Sequence, residues 1–234
     1  MVRVHIICEG QTEETFIKEV LQPIFSHNEI YLLPALIGRP GHKGGAVNYQ
    51  RMLRDIRNRL GDSNAYCTTF FDFYGLDQDF PGKQQALNQT CLENKKSILE
   101  QMFEEKVIND LGQEITRKFF PYVQMYEFEG LLFSSPKAVA DNLNVNLSSV
   151  ESIIQQFETP EHINNSSQTA PSKRLISLNR TYDKVLMGSL IALDIGIDDI
   201  RQKCKGFDEW LKKNRNFIKN PRKMRGFSFY LSVD

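Results

Sequence analysis

Acidic residues stop the apolar runs of this sequence. Glu9 follows VRVHIIC (Val2–Cys8), Asp72 closes YCTTFFD (Tyr66–Asp72), and Glu127 and Glu129 follow the run from Phe119 to Tyr126. Glu13 and Glu14 stand one helical turn beyond Glu9. Carboxylates gathered in one place repel one another and cost stability unless a cation is shared among them. Oxygen-only ligand sets suit Mg2+ or Mn2+ better than zinc, and the four histidines, His5, His27, His42 and His162, show no i,i+4 ligand pairing. The chemistry this predicts is metal-dependent. Glu9, Asp72, Glu127 and Glu129 would hold one or two cations that polarise a phosphate and generate a hydroxide nucleophile, with Glu13 as general base or supporting group. Each acid alone also has a plainer reading: Glu13 and Glu14 can serve the helix dipole, Glu9-Gly10 a turn and Asp72 a loop cap. Asp77 and Asp79 read first as turn and cap residues, and Glu127 and Glu129 share a side only if the strand continues through them.

The elements that must carry these acids follow from hydrophobic periodicity. Val2–Cys8 reads as a buried strand. Thr12 is placed as an N-cap, and Phe16, Val20, Leu21 and Ile24 recur at helical spacing, so a helix is expected from Glu13 to about Phe25. Tyr31–Ile37 is a second apolar run that Pro34 pushes towards a sheet edge. The loop GRPGHKGG (38–45) follows, then a helix carrying Tyr49, Leu53, Ile56 and Leu60. Tyr66–Asp72 is the third strand, Phe73 to Gly82 a loop, Gln89–Val107 a helix and Phe119–Tyr126 the fourth strand. This alternation predicts an α/β fold with a mostly parallel sheet flanked by helices, whose functional crevice lies at the carboxyl ends of the strands. Beyond Pro136 helical pieces are expected around Val150–Phe157 and Lys173–Leu193, closing with the helix-loop-helix IGIDDIRQKCKGFDEWLKK. Residues 1–135 thus read as an α/β core, 136–213 as a helical section packed on it, and 214–234 as a basic tail.

A polyanionic substrate needs positive grip. Candidates are His42 and Lys43 in the glycine loop, where the backbone can approach phosphate closely, and Lys173 and Arg174 in APSKR, with Arg180 and Lys184 one and a half to three turns on. A crossover loop and a solvated helix face are the plain alternatives. The 234 residues carry no net charge, yet ten Lys or Arg face two acids between Arg201 and Arg225. Lys212, Lys213, Arg215, Lys219, Arg222, Lys223 and Arg225 there would add salt-dependent, sequence-blind affinity for nucleic acid.

Several classes are excluded. No apolar run approaches the roughly 20 residues of a membrane span, and the N-terminus lacks a secretory pattern, so a cytoplasmic protein is expected. Four scattered cysteines give neither a zinc site nor a disulfide framework and are expected to be buried thiols. No G-x-G-x-x-G follows the first strand and no G-x-x-x-x-G-K-[ST] occurs anywhere, which removes the common nucleotide cradles. Strand-end acids also fit glycoside hydrolysis poorly.

The segments CEGQTEETF, TTFFDFYGLDQDFPG, PYVQMYEFEGLLF, PSKRL and IGIDDIRQKCKGFDEWL together resemble a bacterial Toprim-like family, the domain of unknown function 4276 family, up to about Lys213. The Toprim superfamily includes topoisomerase and primase domains and nucleases of the overcoming-lysogenization-defect type. The resemblance implies a compact parallel sheet, a Glu after the first strand and a D-x-D after a later one, together holding Mg2+ for phosphodiester chemistry. Glu9 matches the first and Asp72 the start of the second, but Tyr74 stands where the second Asp belongs; Glu127 or Glu129 would have to supply the missing oxygen. Relatives of this kind often occur beside ATPases in mobile-element and phage-defence clusters, which implies an ATPase partner. Two functions therefore stand: a Mg2+- or Mn2+-dependent nuclease, or a non-catalytic module that kept the fold to bind a protein or nucleic acid.

Overall fold

The structure, a computed structural model, describes residues 1–38, 47–164 and 168–219, for 215–219 the backbone alone. The expected contacts of His42 and Lys43, and those of Arg215, Lys219, Arg222, Lys223 and Arg225, lie outside the described residues and side chains.

Strand β1 (Val2–Cys8) runs parallel between β2 (Ile30–Leu36) and β3 (Ala65–Asp72), so that Cys8 sits level with both Leu36 and Phe70. β2 is the edge strand, where Pro34, opposite Ile6, removes no interior ladder bond. Buried on both faces near their carboxyl ends, β1 and β3 split their side chains between two apolar layers. Ile6, Cys8 and Phe70 point into one layer, and Ile7, Cys67 and Phe71 into the other.

The fourth strand differs from expectation. Its run breaks into β4 (Phe119–Phe120) and β5 (Val123–Gln124), both parallel to β3. Pro121 lacks the N–H a ladder requires, and the Thr69 side chain bridges the gap. Its hydroxyl donates to Tyr122 O at 2.8 Å and accepts from Tyr122 N at 2.9 Å.

The first crossover helix starts as α1 (Gln11–Phe16), passes through a π-helical stretch (Ile17–Leu21) and ends as α2 (Gln22–Ser26). α3 (Tyr49–Leu60) begins under an Asn48 cap, whose side chain accepts from Gln50 N and Arg51 N. α4 (Lys83–Leu87), α5 (Leu92–Leu111) and α6 (Gln113–Thr116) precede β4.

After β5 the chain enters a 3-10 helix (Phe128–Ser134), then α7 (Pro136–Leu143), α8 (Leu147–Ile154) and a short 3-10 turn (Pro160–His162). The expected helix over Lys173–Leu193 is two helices, α9 (Pro171–Leu178) and α10 (Lys184–Ile195). The second starts afresh because the Asp183 side chain caps Leu186 N. α11 (Ile197–Lys203) and α12 (Lys205–Lys219) close the described chain. Trp210 anchors α12 to the sheet: its indole N–H donates to Thr68 Oγ1 at 3.0 Å, and its ring stacks on Tyr122 at 4.7 Å. The fold is α/β, a parallel sheet flanked by helices with further helices at its C-terminal side.

Three of the four cysteines are buried thiols; Cys91, at the start of α5, is exposed, contrary to expectation. Among the described residues no helix is long and apolar enough to cross a membrane.

Candidate active site

Glu9 occupies the first position beyond β1, held to the sheet by its N–H on Phe70 O at 3.3 Å. Its Oε2 accepts from Asp72 N at 3.1 Å, so the ends of β1 and β3 are joined through this carboxylate. Gly75 lies directly against it. A Cβ at position 75 would stand 2.0–2.2 Å from the Glu9 carboxylate atoms, so only glycine leaves the room. Gly75 is held there by its N–H on Asp72 O.

Glu13, in the first turn of α1, folds back so that Oε2 accepts from Gly10 N at 2.8 Å. Asp72 Oδ1 accepts from Phe128 N at 2.8 Å, and Glu127 Oε2 accepts from Ser172 N, at the start of α9, at 2.8 Å. Glu129 is buried, and Lys184 Nζ lies 3.0 Å from its Oε1. The expected acids therefore meet at the carboxyl ends of β1, β3 and β5, as the crevice rule for parallel sheets requires.

The electrostatics of this gathering are frustrated. Burial pushes Glu9 up to about 7, with Glu127 and Glu129 adding to the shift and the Asp72 N–H and Lys184 opposing it. Burial and the neighbouring Glu9 likewise push Glu13 up to about 7. Asp72 is raised well above the usual carboxylate value, by burial first and then by Glu13, Glu9, Glu129 and Glu127. Glu129 is raised by burial and Glu127, against the pull of Lys184. Burial works against the Lys184 ammonium, but Glu129, Glu127 and Asp72 outweigh it and raise its pKa. Among the described residues, the acids outnumber the ammonium groups near them, and near neutrality some of them retain protons.

The other candidates separate. Glu14 pairs with Lys18 at 2.9 Å, one turn along the helix. Asp77 accepts from Asn48 Nδ2, and Asp79 is exposed. Lys173 is exposed; Arg174 donates to Thr169 O at 2.8 Å and lies 4.9 Å over the Phe157 ring, engaged in packing. Lys184 was expected on a continuous helix face with Lys173; the break before α10 instead turns it towards Glu129. Tyr74, in place of a second Asp, hydrogen-bonds Asn164 through its hydroxyl and stacks on Tyr126 at 5.6 Å. Its phenol is pushed up to about 12, by burial above all, so it is a neutral packing group and no substitute for a carboxylate.

Two neighbours had no sequence signal. Lys83 is buried at the start of α4, donates to Leu76 O and feels Asp77 and Glu9. Tyr182, before α10, buries a hydroxyl that has no hydrogen-bond partner and lies in the field of Glu129 and Glu127.

The donor chemistry, all carboxylate oxygen, fits a hard divalent cation. The side chains as placed do not form a cage: among the described residues no group of three or more His, Cys, Asp or Glu is arranged to hold a metal ion. Glu9, Glu13, Asp72 and Glu127 each spend one oxygen on a backbone N–H and keep the other.

The chain is similar to the solved C-terminal region of the OLD protein of Xanthomonas campestris pv. campestris, with a TM-score of 0.39 and 14% identity over 92% of this chain and 98% of that one. No curated protein sequence matches it. The family model described as Domain of unknown function (DUF4276) matches residues 8–213, and the chain belongs to that family.

Proposed function

We propose that this protein is a Mg2+- or Mn2+-dependent phosphodiesterase, a nuclease acting on DNA or RNA, built on a Toprim-like sheet. One observation carries the reading: Glu9, Glu13, Asp72, Glu127 and Glu129, brought from distant stretches, meet at one strand-end edge where, among the described residues, Lys184 is the ammonium paired with them. Structural charges are normally paired off, and acids held in excess with raised pKa values are the mark of a site. Glu9, Asp72, Glu127 and Glu129 would hold the cation. When bound, it would supply Lewis-acid activation of the scissile phosphate and of the attacking water.

The chain's own groups do the rest. Glu13, pushed up to about 7, is poised to take and return a proton near neutrality. Lys184, partly open to solvent, can exchange Glu129 for a phosphate oxygen. The Ser172 N–H, at the start of α9, holds Glu127. The motif resemblance supports Toprim-superfamily membership, a cytoplasmic setting in phage defence or mobile elements, and an ATPase partner.

The competing reading is a non-catalytic module, favoured by Tyr74 and by the lack of a formed cage among the described residues. Titration calorimetry with Mn2+, together with cleavage of labelled single- and double-stranded DNA and RNA, decides between the two. The expected result is metal binding and cleavage, both lost in Glu9→Gln and Asp72→Asn and the cleavage stopped by EDTA. Absence of Mn2+ binding by the unmodified protein would establish the module instead.

A further inference from the structure

Helix α10, KVLMGSLIALDI, is apolar around nearly its whole circumference. A helix of that kind is normally covered on every side. One side of α10 is covered: Gly188, Ile191, Ala192 and Ile195 are buried, and a Cβ on Gly188 would already sit 3.2 Å from the Phe128 ring. The opposite side is left uncovered by the described residues. Leu186, Leu190 and Leu193 remain 64%, 47% and 51% exposed. Their i, i+4, i+7 spacing places them in one row, the anchor pattern read by a single partner helix.

One flank of that row carries two acids, Asp183, which caps Leu186 N, and Asp194, which accepts from Asn142 Nδ2 at 2.6 Å. Asp183 lies three residues before Leu186 and Asp194 four after Leu190, so both stand on the same flank, and both are exposed. We infer that this face is a docking surface for a protein helix whose apolar side is edged by Lys or Arg, an inference independent of the phosphodiesterase reading. A second copy fits less well, because antiparallel pairing about a two-fold axis brings Asp183 towards the partner's acidic rim. An anionic membrane is repelled by the same two carboxylates. The surface is joined to the site through one rigid element, since α10 begins at Lys184, which meets Glu129.

The test uses a fluorescein-labelled synthetic helix of about five turns, with leucines on one face and lysines elsewhere, and a twin carrying glutamates for the lysines. Anisotropy titrations against the full chain should show the lysine peptide binding at least about tenfold more tightly than its twin. Leu190→Asp, a change at an exposed position, should weaken binding about tenfold or more with an unchanged melting temperature. Asp183→Asn with Asp194→Asn, which keeps a competent cap on α10, should narrow the preference between the peptides. Equal binding of the two peptides, or indifference to Leu190→Asp, overturns the proposal. So does a dimer in sedimentation that Leu190→Asp dissolves, or binding to phosphatidylcholine vesicles that it abolishes. None of these readouts depends on a metal or on cleavage.

Discussion

Two glutamates are both buried in this protein and live in opposite circumstances. Glu161, 6% exposed, sits on the short Pro160–His162 turn and caps the start of α12: Oε2 accepts from Gly206 N at 2.8 Å and Oε1 from Phe207 N at 3.0 Å. Both its oxygens are used, the helix dipole favours its charge, and Lys96 adds to the balance. Glu129, 1% exposed, meets the Lys184 ammonium and its own backbone N–H but caps no other element, and it is crowded by Glu127. Burial raises the pKa of both. Depth alone therefore does not mark a functional carboxylate; the shortage of partners does. Glu161 is part of what holds α12 in place, whereas the acids around Glu129 strain the fold they sit in.

The largest expected effect sharpens the structural side. Glu161→Ala leaves two buried N–H groups open and should destabilise the fold by about 3 kcal/mol. In a chain of this size that corresponds to roughly 6–12 °C in melting temperature, measurable by calorimetry. A loss below about 1 kcal/mol would show that the cap contributes little.

Next comes Gly75→Ala, which drives a methyl into the Glu9 carboxylate. Mn2+ affinity should fall about 10- to 100-fold, the range found when groups that orient a ligand are disturbed. Undiminished affinity would take Glu9 out of the ligand set.

The smallest effect has the opposite sign from the first. Glu9→Gln keeps an acceptor for Asp72 N but removes one charge from the crowd, and without cation at pH 8 it should raise stability by about 1 kcal/mol. The pH profile follows from the same source. Glu9 and Glu13 bind their protons more tightly folded, at about 7, than at the ordinary 4.5. The stability linked to those protons is complete below about 4.5 and disappears as pH rises through 7. The cation-free melting temperature should thus fall between pH 5 and pH 8, Glu9→Gln should flatten that fall, and Mn2+ should stabilise more at pH 8 than at pH 5.5. A melting temperature that climbs over this range would contradict the crowded-acid picture.

Much of this was legible in the residues. Continuous apolar runs placed β1 and β3 within a residue, and helical spacing placed α3, because their apolar faces match the layers they fill. Strand-end acids were legible because a parallel sheet aligns its carboxyl ends whatever the loops do. What escaped was set by tertiary detail. Pro121 in the middle of the last run announced a break, but that Thr69 would bridge it depends on register with a distant strand. Asp183 announced a new helix start, and ignoring it put Lys184 on the wrong face. Glu13 was expected as a general base or supporting group, but nothing in EGQTEE reveals how deeply its helical turn is buried among the other acids. Lys83 and Tyr182 acquire meaning only from what the fold sets beside them.

Thr69 shows how narrow such a constraint can be. Valine has nearly its outline and would pass any measure of shape at this position. It would nonetheless strand both the donor and the acceptor of Tyr122, which is itself sealed from water. Among relatives of this chain, then, an isosteric exchange here should come only with a remade backbone at Pro121–Tyr122, and the two positions should change together or not at all.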